Sequence, residues 1–329
     1  MNAELAPILT KFNLPEVHGI TPLSVGLLHK TYFIETHGGD FILQALHPVL
    51  ASNEIGEDFK AVTKYLKKQD FYAPKLVVNR GGKTLTKMDD SVWRMQTAIK
   101  GVTHDVVKST HMAKSAGGIL ARFHKALANI DYEFKTNLVL HETKKEYQKL
   151  IDAAALHPDL LPAVQAEYDF LIDELPKLFL PEKLPVRVTH GDPKISNILF
   201  DGFENAISMI DLDTCNRGSV LSDLGDAMRS WCGGKEDDPN NVFKQHVYDA
   251  AVEGYLAEAD FLTAKEKRLI PNAVGAITLE LSARFLADYF NDTYFGWDEA
   301  HYGSRREHNL ARSRGQIALY KDFKEKTGL

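Results

Sequence analysis

Cysteine is scarce in this chain. Cys215 and Cys232 are its two thiols among 329 residues. That excludes a disulfide scaffold and fits a reduced compartment. No CxxC pair or Cys/His cluster of zinc-binding spacing occurs. Long apolar runs are missing too: no stretch of about 18 apolar residues exists, so no membrane span is expected. The N-terminal segment MNAELAPILTKFNLPEV lacks a basic stretch leading into an apolar one, so no signal peptide is read and a cytoplasmic protein is expected. Positive charge is not in surplus. Lys+Arg is 39 against Asp+Glu 45, a net charge of −6, which gives no general attraction for nucleic acid or anionic membrane, so neither is expected as a partner. Internal repeats and low-complexity tracts are also absent.

What is present is the mixture of a globular protein, with 44% hydrophobic and 26% charged residues. The length is more than one core usually fills, since single cores stop growing at roughly 250–300 residues. Two lobes are therefore expected. Residues 2–12 carry Leu5, Ile8, Leu9 and Phe12 at helical spacing. From about 20 to 46 the period changes, and TYFIET and FILQAL read as strands around a His37-Gly38-Gly39-Asp40 turn. Residues 53–69 return to helical spacing. KLVVN and VWRMQTAI read as two more strands flanking Gly81-Gly82. After Lys100-Gly101 the chain turns helical, with expected helices at 112–128, 142–154, 161–175, 223–231, 242–257, 265–290 and 305–325. A β island at about 186–213 interrupts them. The fold class is α+β: a small antiparallel lobe, residues 1–98, and a larger helical lobe, residues 99–329.

The chemistry is concentrated in THGDPKISNILFDGFENAISMIDLDT. Phosphoryl transfer from ATP needs a group that orients the acceptor hydroxyl and takes its proton, and metal ions that neutralise the β- and γ-oxygens. Mg²⁺ prefers oxygen ligands and usually takes one or two carboxylates from protein. A loop bearing His190, Asp192, Lys194 and Asn197, followed by a hairpin that returns Asp211, supplies that set. Asp192 is expected to orient and deprotonate the acceptor, Asn197 and Asp211 to hold Mg²⁺, and Lys194 to reach the γ-phosphate. His-Gly-Asp alone is an ordinary turn. The composite H-x-D-x-K-x-x-N, then an apolar strand ending in D-x-D, is far more specific. Asp213 shares a strand face with Asp211, and assisting the metal and capping the turn are equally open to it.

These residues make the chain resemble the aminoglycoside phosphotransferase and choline kinase superfamily, whose fold is that of the protein kinases. His190, Asp192, Asn197 and Asp211 match its catalytic loop and metal-binding strand end. The nearest resemblance is to the N-acetylhexosamine 1-kinase group, carried by THGDPKISNILFD, MIDLDTCNRGSVLSDLGDAMR, RFLADYFNDTYF and HNLARSRGQIAL, with FILQALHP and VWRMQTAIKG in the first lobe. The resemblance implies a two-lobed kinase using ATP and Mg²⁺ on the anomeric hydroxyl of an amino sugar, as a monomer or homodimer. It implies that Thr97, Ala98 and Ile99 form the hinge that bonds adenine, and that Asp223 braces the catalytic loop. It also places Arg284, Asp288 and Tyr294, with Phe295, around the acceptor. Without the resemblance, Arg284 and Asp288 read as a plain i, i+4 surface pair, Tyr294 as core, and Asp223 with Asp226 as first-turn acids of a helix.

One departure stands out. Kinases of this fold usually carry a lysine on the third strand, and the corresponding place is Gln44. The same group tends to have Leu-Gln there. Lys30 and Lys194 are then the candidate phosphate cations. The glycine loop holds only Gly26 and by itself reads as a hairpin turn. Other acceptors, aminoglycoside- or choline-like, remain open. So does a nucleotide-binding module without turnover, which the neutral Gln44 motivates. A protein kinase is disfavoured, because LDTCNRGSVLSDLGD contains neither DFG nor an evident APE-ended segment.

Overall fold

The computed structural model describes residues 4–23 and 29–329. The expected Gly26 loop lies outside the described residues. A short helix α1 (Ala6–Leu9) opens the chain, where the spacing had predicted one over residues 2–12. Leu5, Ile8, Leu9 and Phe12 are all buried nonetheless. Strands β1 (Val17–Leu23), β2 (Lys30–Thr36) and β3 (Phe41–Ala45) follow, then helix α2 (Asn53–Lys68), then β4 (Leu76–Val77), β5 (Leu85–Met88) and β6 (Ser91–Thr97). The sheet order is β1-β2-β3-β6-β4, with β5 also on β6, and every pairing is antiparallel. The sequence reading missed β5. It pairs with β6 through a tight turn in which Asp89 takes a left-handed φ of 52°, and a non-glycine residue there hides the hairpin.

The larger part contains α3 (Thr110–Leu127), α4 (Thr143–Leu156) and α5 (Gln165–Glu174). Next come β7 (Arg187–Thr189), β8 (Ile198–Phe200), β9 (Ala206–Met209) and β10 (Asn216–Gly218). The chain ends with α6 (Val220–Cys232), α7 (Gln245–Glu258), α8 (Ala264–Arg268), α9 (Ile270–Asn291) and α10 (Arg305–Thr327). The helix expected over 265–290 is two helices. Pro271 stands in the first turn of α9, where its missing N–H costs nothing and where α8 cannot continue through it. The predicted α+β kinase-like architecture is what the structure shows, an antiparallel sheet lobe joined to a helical one.

The cores do not divide where the strands do. One apolar cluster lies under the sheet and α1: Leu5, Ile8, Phe12, Ile34, Leu43, Trp93 and Met95. Phe59, Val62 and Leu66 of α2 instead belong to the large core of the helical lobe. A polar clamp reinforces this attachment. Buried Asp58 of α2 accepts from Tyr132 Oη (2.8 Å), Lys135 N (2.9 Å), Thr136 N (3.0 Å) and Thr136 Oγ1 (2.7 Å). Helix α2 is thus fastened to the segment that follows α3. Among the described residues, no helix is long and apolar enough to cross a membrane.

Candidate active site

The loop between β7 and β8 carries Asp192. Its shape is set by backbone needs first. Gly191 has φ +88°, and a Cβ there would sit 2.7 Å from the Thr214 carbonyl oxygen, so only glycine fits. Asp223, from the first turn of α6, accepts from His190 N (2.5 Å), Gly191 N (3.0 Å) and His124 Nε2 (2.8 Å). Burial would raise this carboxyl. His124 and His190 together hold it below its ordinary value. The His190 ring accepts from Asp192 N at Nδ1 (3.3 Å), so Nε2 carries the proton and donates to the Ile210 carbonyl (2.9 Å). Trp231 of α6 donates to the Pro193 carbonyl (2.9 Å). Two flanking strands and one helix therefore fix the loop.

The functional side chains meet above this frame. Lys194 Nζ lies 2.7 Å from Asp192 Oδ2, and Asn197 Nδ2 donates to the same oxygen (3.2 Å) and to the Asp192 carbonyl (2.8 Å). Oδ1 of Asp192 is free among the described residues. Burial would lower the Lys194 ammonium, but Asp192, then Asp211 and Asp226, hold it above the ordinary lysine value.

Strand β9 ends just before Asp211, which adopts a left-handed backbone (φ 62°, ψ 56°) and whose carboxyl interacts electrostatically with Lys194, Asp192 and His190 of the loop. That carboxyl has no hydrogen-bond donor among the described residues. Desolvation first, and the Asp213 charge second, push its pKa up. A divalent cation would relieve this repulsion. Asn197 adds a carbonyl oxygen, because its amide nitrogen already faces Asp192. The donor set of hard oxygens fits Mg²⁺.

Asp213 is differently engaged. Both its oxygens take the Arg94 guanidinium, Nη2 at 2.8 Å, and His29 Nε2 lies 3.4 Å away. The charge of Arg94 overrides burial and holds the Asp213 carboxyl low, at about 2. His29, Asp211 and Asp213 nevertheless lie close enough for one atom of each to be within 4.8 Å of the others. Arg94 escaped the sequence reading. Its signal was a charge in the middle of the apolar strand VWRMQT, where an unpaired arginine would be costly.

The remaining expected residues are more scattered. Gln44 is buried and accepts from Arg94 Nη2 (2.8 Å). Lys30 is exposed at the start of β2, opposite Ala45. At the end of β6, Thr97 N and Ala98 N donate to the Lys75 and Asp40 carbonyls (2.8 and 2.9 Å). Ile99 makes no backbone hydrogen bond among the described residues.

In α9, Arg284 and Asp288 are not an ion pair. Asp288 accepts from the N–H groups of Thr293, Tyr294 and Phe295 (2.9, 2.8 and 2.9 Å) and from Asn309 Nδ2 (2.9 Å), so it organises the turn after α9. Arg284 lies over the Phe295 ring (5.7 Å) and, with Tyr294 and Lys149, lines a cavity of about 420 Å³. Tyr294 is exposed rather than core. Two buried acids stand near these groups, Asp226 acting on Lys194 and Glu280 on His141. Glu280 takes His141 Nδ1 (2.9 Å) and Thr143 Oγ1 (2.5 Å), and Asp226 takes Arg229 (2.7 Å). Burial would lower Arg229, yet Asp226, Glu236 and then Asp192 hold it up. Acid and base therefore alternate from the catalytic loop toward α9.

The chain is similar to known proteins along most of its length. Homoserine kinase from Methylocella silvestris is 24% identical over 295 residues, covering 88% of this chain and 87% of that protein. Homoserine kinase from Nitrobacter winogradskyi is 25% identical over 291 residues, covering 88% and 85%. Among solved structures, an amicoumacin kinase in complex with AMP-PNP, Ca²⁺ and Ami superposes with a TM-score of 0.65 at 16% identity, over 99% of this chain and 94% of the other. A microcompartment-associated aminopropanol kinase gives 0.63 at 19%, over 98% and 97%. The family model described as "Phosphotransferase enzyme family" matches residues 19–262, and the chain belongs to that family.

Proposed function

We propose that the protein transfers the γ-phosphoryl group of ATP, with Mg²⁺, to the hydroxyl of a small amino alcohol. The observation that carries this reading is the convergence of Asp192, Lys194, Asn197 and Asp211 at the half-buried β7–β8 loop. The acceptor hydroxyl docks on the free Oδ1 of Asp192, whose other oxygen Lys194 and Asn197 hold still. As the acceptor oxygen bonds to the γ-phosphorus and the bond to the ADP oxygen breaks, the hydroxyl proton passes to Asp192. Lys194 then stands beside the transferred group as a cation. Asn197 and Asp211 would hold the metal, which supplies charge neutralisation at the phosphate oxygens. Ile99 supplies the backbone edge for adenine. His190 and Asp223 keep the loop in register.

For the acceptor, the support comes from the relatives. Homoserine and aminopropanol, the acceptors named for the relatives above, each join a hydroxyl to an amine on a short chain. The sugar acceptor of the hexosamine 1-kinase resemblance is the second reading. The cavity at Arg284 favours it, because a guanidinium beside Tyr294 and Phe295 suits ring hydroxyls and a sugar face. An acceptor panel of homoserine, aminopropanol, N-acetylglucosamine and an aminoglycoside, followed by ADP release with the phosphate located by NMR, separates the two. Turnover confined to N-acetylglucosamine would replace the amino-alcohol reading by the sugar one.

A further inference from the structure

The nucleotide sheet lacks a third-strand lysine, and the structure shows what stands in that place. Gln44 of β3 is in register with Arg94 of β6. The Arg94 side chain is 1% exposed and runs between the sheet and α2, with its Cζ 4.9 Å from the Phe59 ring centre. In kinases with a third-strand lysine, an acidic residue of the following helix faces it. Here α2 presents Phe59; its buried acid Asp58 is turned to the segment around Thr136, and its other acids, Glu54 and Glu57, are exposed. Arg94 reaches instead from the sheet to Asp213, which lies 119 positions later in the chain, while Gln44 Oε1 accepts from both Nε (3.3 Å) and Nη2 (2.8 Å). Gln96 also donates to Gln44 Oε1 (3.3 Å), so the amide cannot turn away.

We propose that Arg94 is a positioning residue that replaces the third-strand lysine: it ties the nucleotide sheet to the metal loop through Asp213, and so sets Asp211 against the nucleotide. Three features favour arginine over lysine here. Its planar fork holds both oxygens of one carboxylate, its remaining N–H groups bind Gln44, and its face stacks on Phe59. The linkage bears on chemistry because Asp211 and Asp213 share one tight turn. Any shift of Asp213 moves the carboxylate that would hold the metal.

This inference rests on the phosphotransfer reading, so its test includes a measurement that needs no acceptor. Binding of Mg·ADP is measured by calorimetry beside kcat for Arg94→Met, Arg94→Lys and the double variant Gln44→Lys/Arg94→Met. In Arg94→Met, the Kd should rise about tenfold and kcat should fall about 100-fold, the scale of a misplaced catalytic group. Arg94→Lys keeps the charge but loses the fork, so the Kd should stay within about threefold while kcat falls about tenfold. Lysine at position 44 lies beside the vacated guanidinium. It should reach Asp213 from the neighbouring strand and restore at least about tenfold in kcat over Arg94→Met, since a buried carboxylate regains a partner. If Arg94→Met does not fold, as melting curves will show, Arg94→Lys and the double variant carry the test alone. Wild-type kcat in Arg94→Lys would overturn the proposal. So would a folded double variant with no more activity than Arg94→Met, or no more than about a hundredth of wild-type kcat where Arg94→Met is unfolded.

Discussion

The catalytic loop and the nucleotide sheet both hold charge in place, but they do so over different distances. In the loop, Asp192, Lys194 and Asn197 stand within five positions of one another and bond directly. Their charges stay half-open to water, and the buried helix α6 pins only the backbone beneath them. In the sheet, Arg94 meets Asp213 across 119 positions, wholly out of water. A local arrangement of this kind leaves a spacing pattern in the sequence. A distant one leaves only an oddity, a charge inside an apolar strand. The energetic consequences differ as well. A half-exposed ion pair such as Asp192–Lys194 contributes less to stability than a fully buried one, whose breaking is costly because a charge is left unpaired.

That contrast can be broken by substitution. Asp192→Asn removes the proton acceptor from the loop, so kcat should fall about 10²- to 10⁴-fold, while the melting temperature stays within a degree or two. A large melting shift would show that the loop is structural as well. Asp211→Asn should reduce turnover about 100-fold and raise the Mg²⁺ concentration needed for half-maximal rate, as titration of the metal would read. Loss of rate without a change in metal dependence would remove Asp211 from the metal site.

Asp223→Asn tests the frame rather than the charges above it. It takes one charge from a carboxylate that holds two backbone N–H groups and a histidine, and should cost about 3 kcal/mol of stability by denaturant melts. Away from both regions, Glu174 binds Lys324, Tyr320 and Lys177. Lys324, first among these, lowers its pKa from an ordinary 4.5 to about 2. A lowered carboxyl pKa gives stability that is present above 4.5 and is lost as pH falls toward 2. Glu174→Gln should therefore melt a few degrees lower than wild type at pH 7, and the gap should close by about pH 2.

What could be read from the sequence follows the same division. The two-lobed α+β fold, β2, β3, β6 and most helices were legible, because apolar spacing states them directly. The β5–β6 hairpin was not, since its turn uses Asp89 in a left-handed conformation in place of glycine. The long helix before Asn291 was read as one, because helical spacing runs on through Leu269 and only Pro271 marks the break. At the candidate site, Asp192, Lys194, Asn197 and Asp211 were legible from spacing and the structure brings them together. Arg94, His124, Trp231 and His29 were not, for each acts on a residue remote in sequence. Arg284 and Asp288 looked like a helical ion pair. Three backbone N–H groups of the following turn take Asp288 instead, which no i, i+4 pattern can announce.

The most direct test of the account is acceptor-dependent ADP release by the purified protein with Mg·ATP, run side by side with Asp192→Asn. The account predicts ADP formation that requires a small hydroxyl-bearing acceptor and disappears in the variant, with Mg·ADP affinity unchanged between the two. Nucleotide binding without turnover on any acceptor, or full turnover in Asp192→Asn, would contradict it.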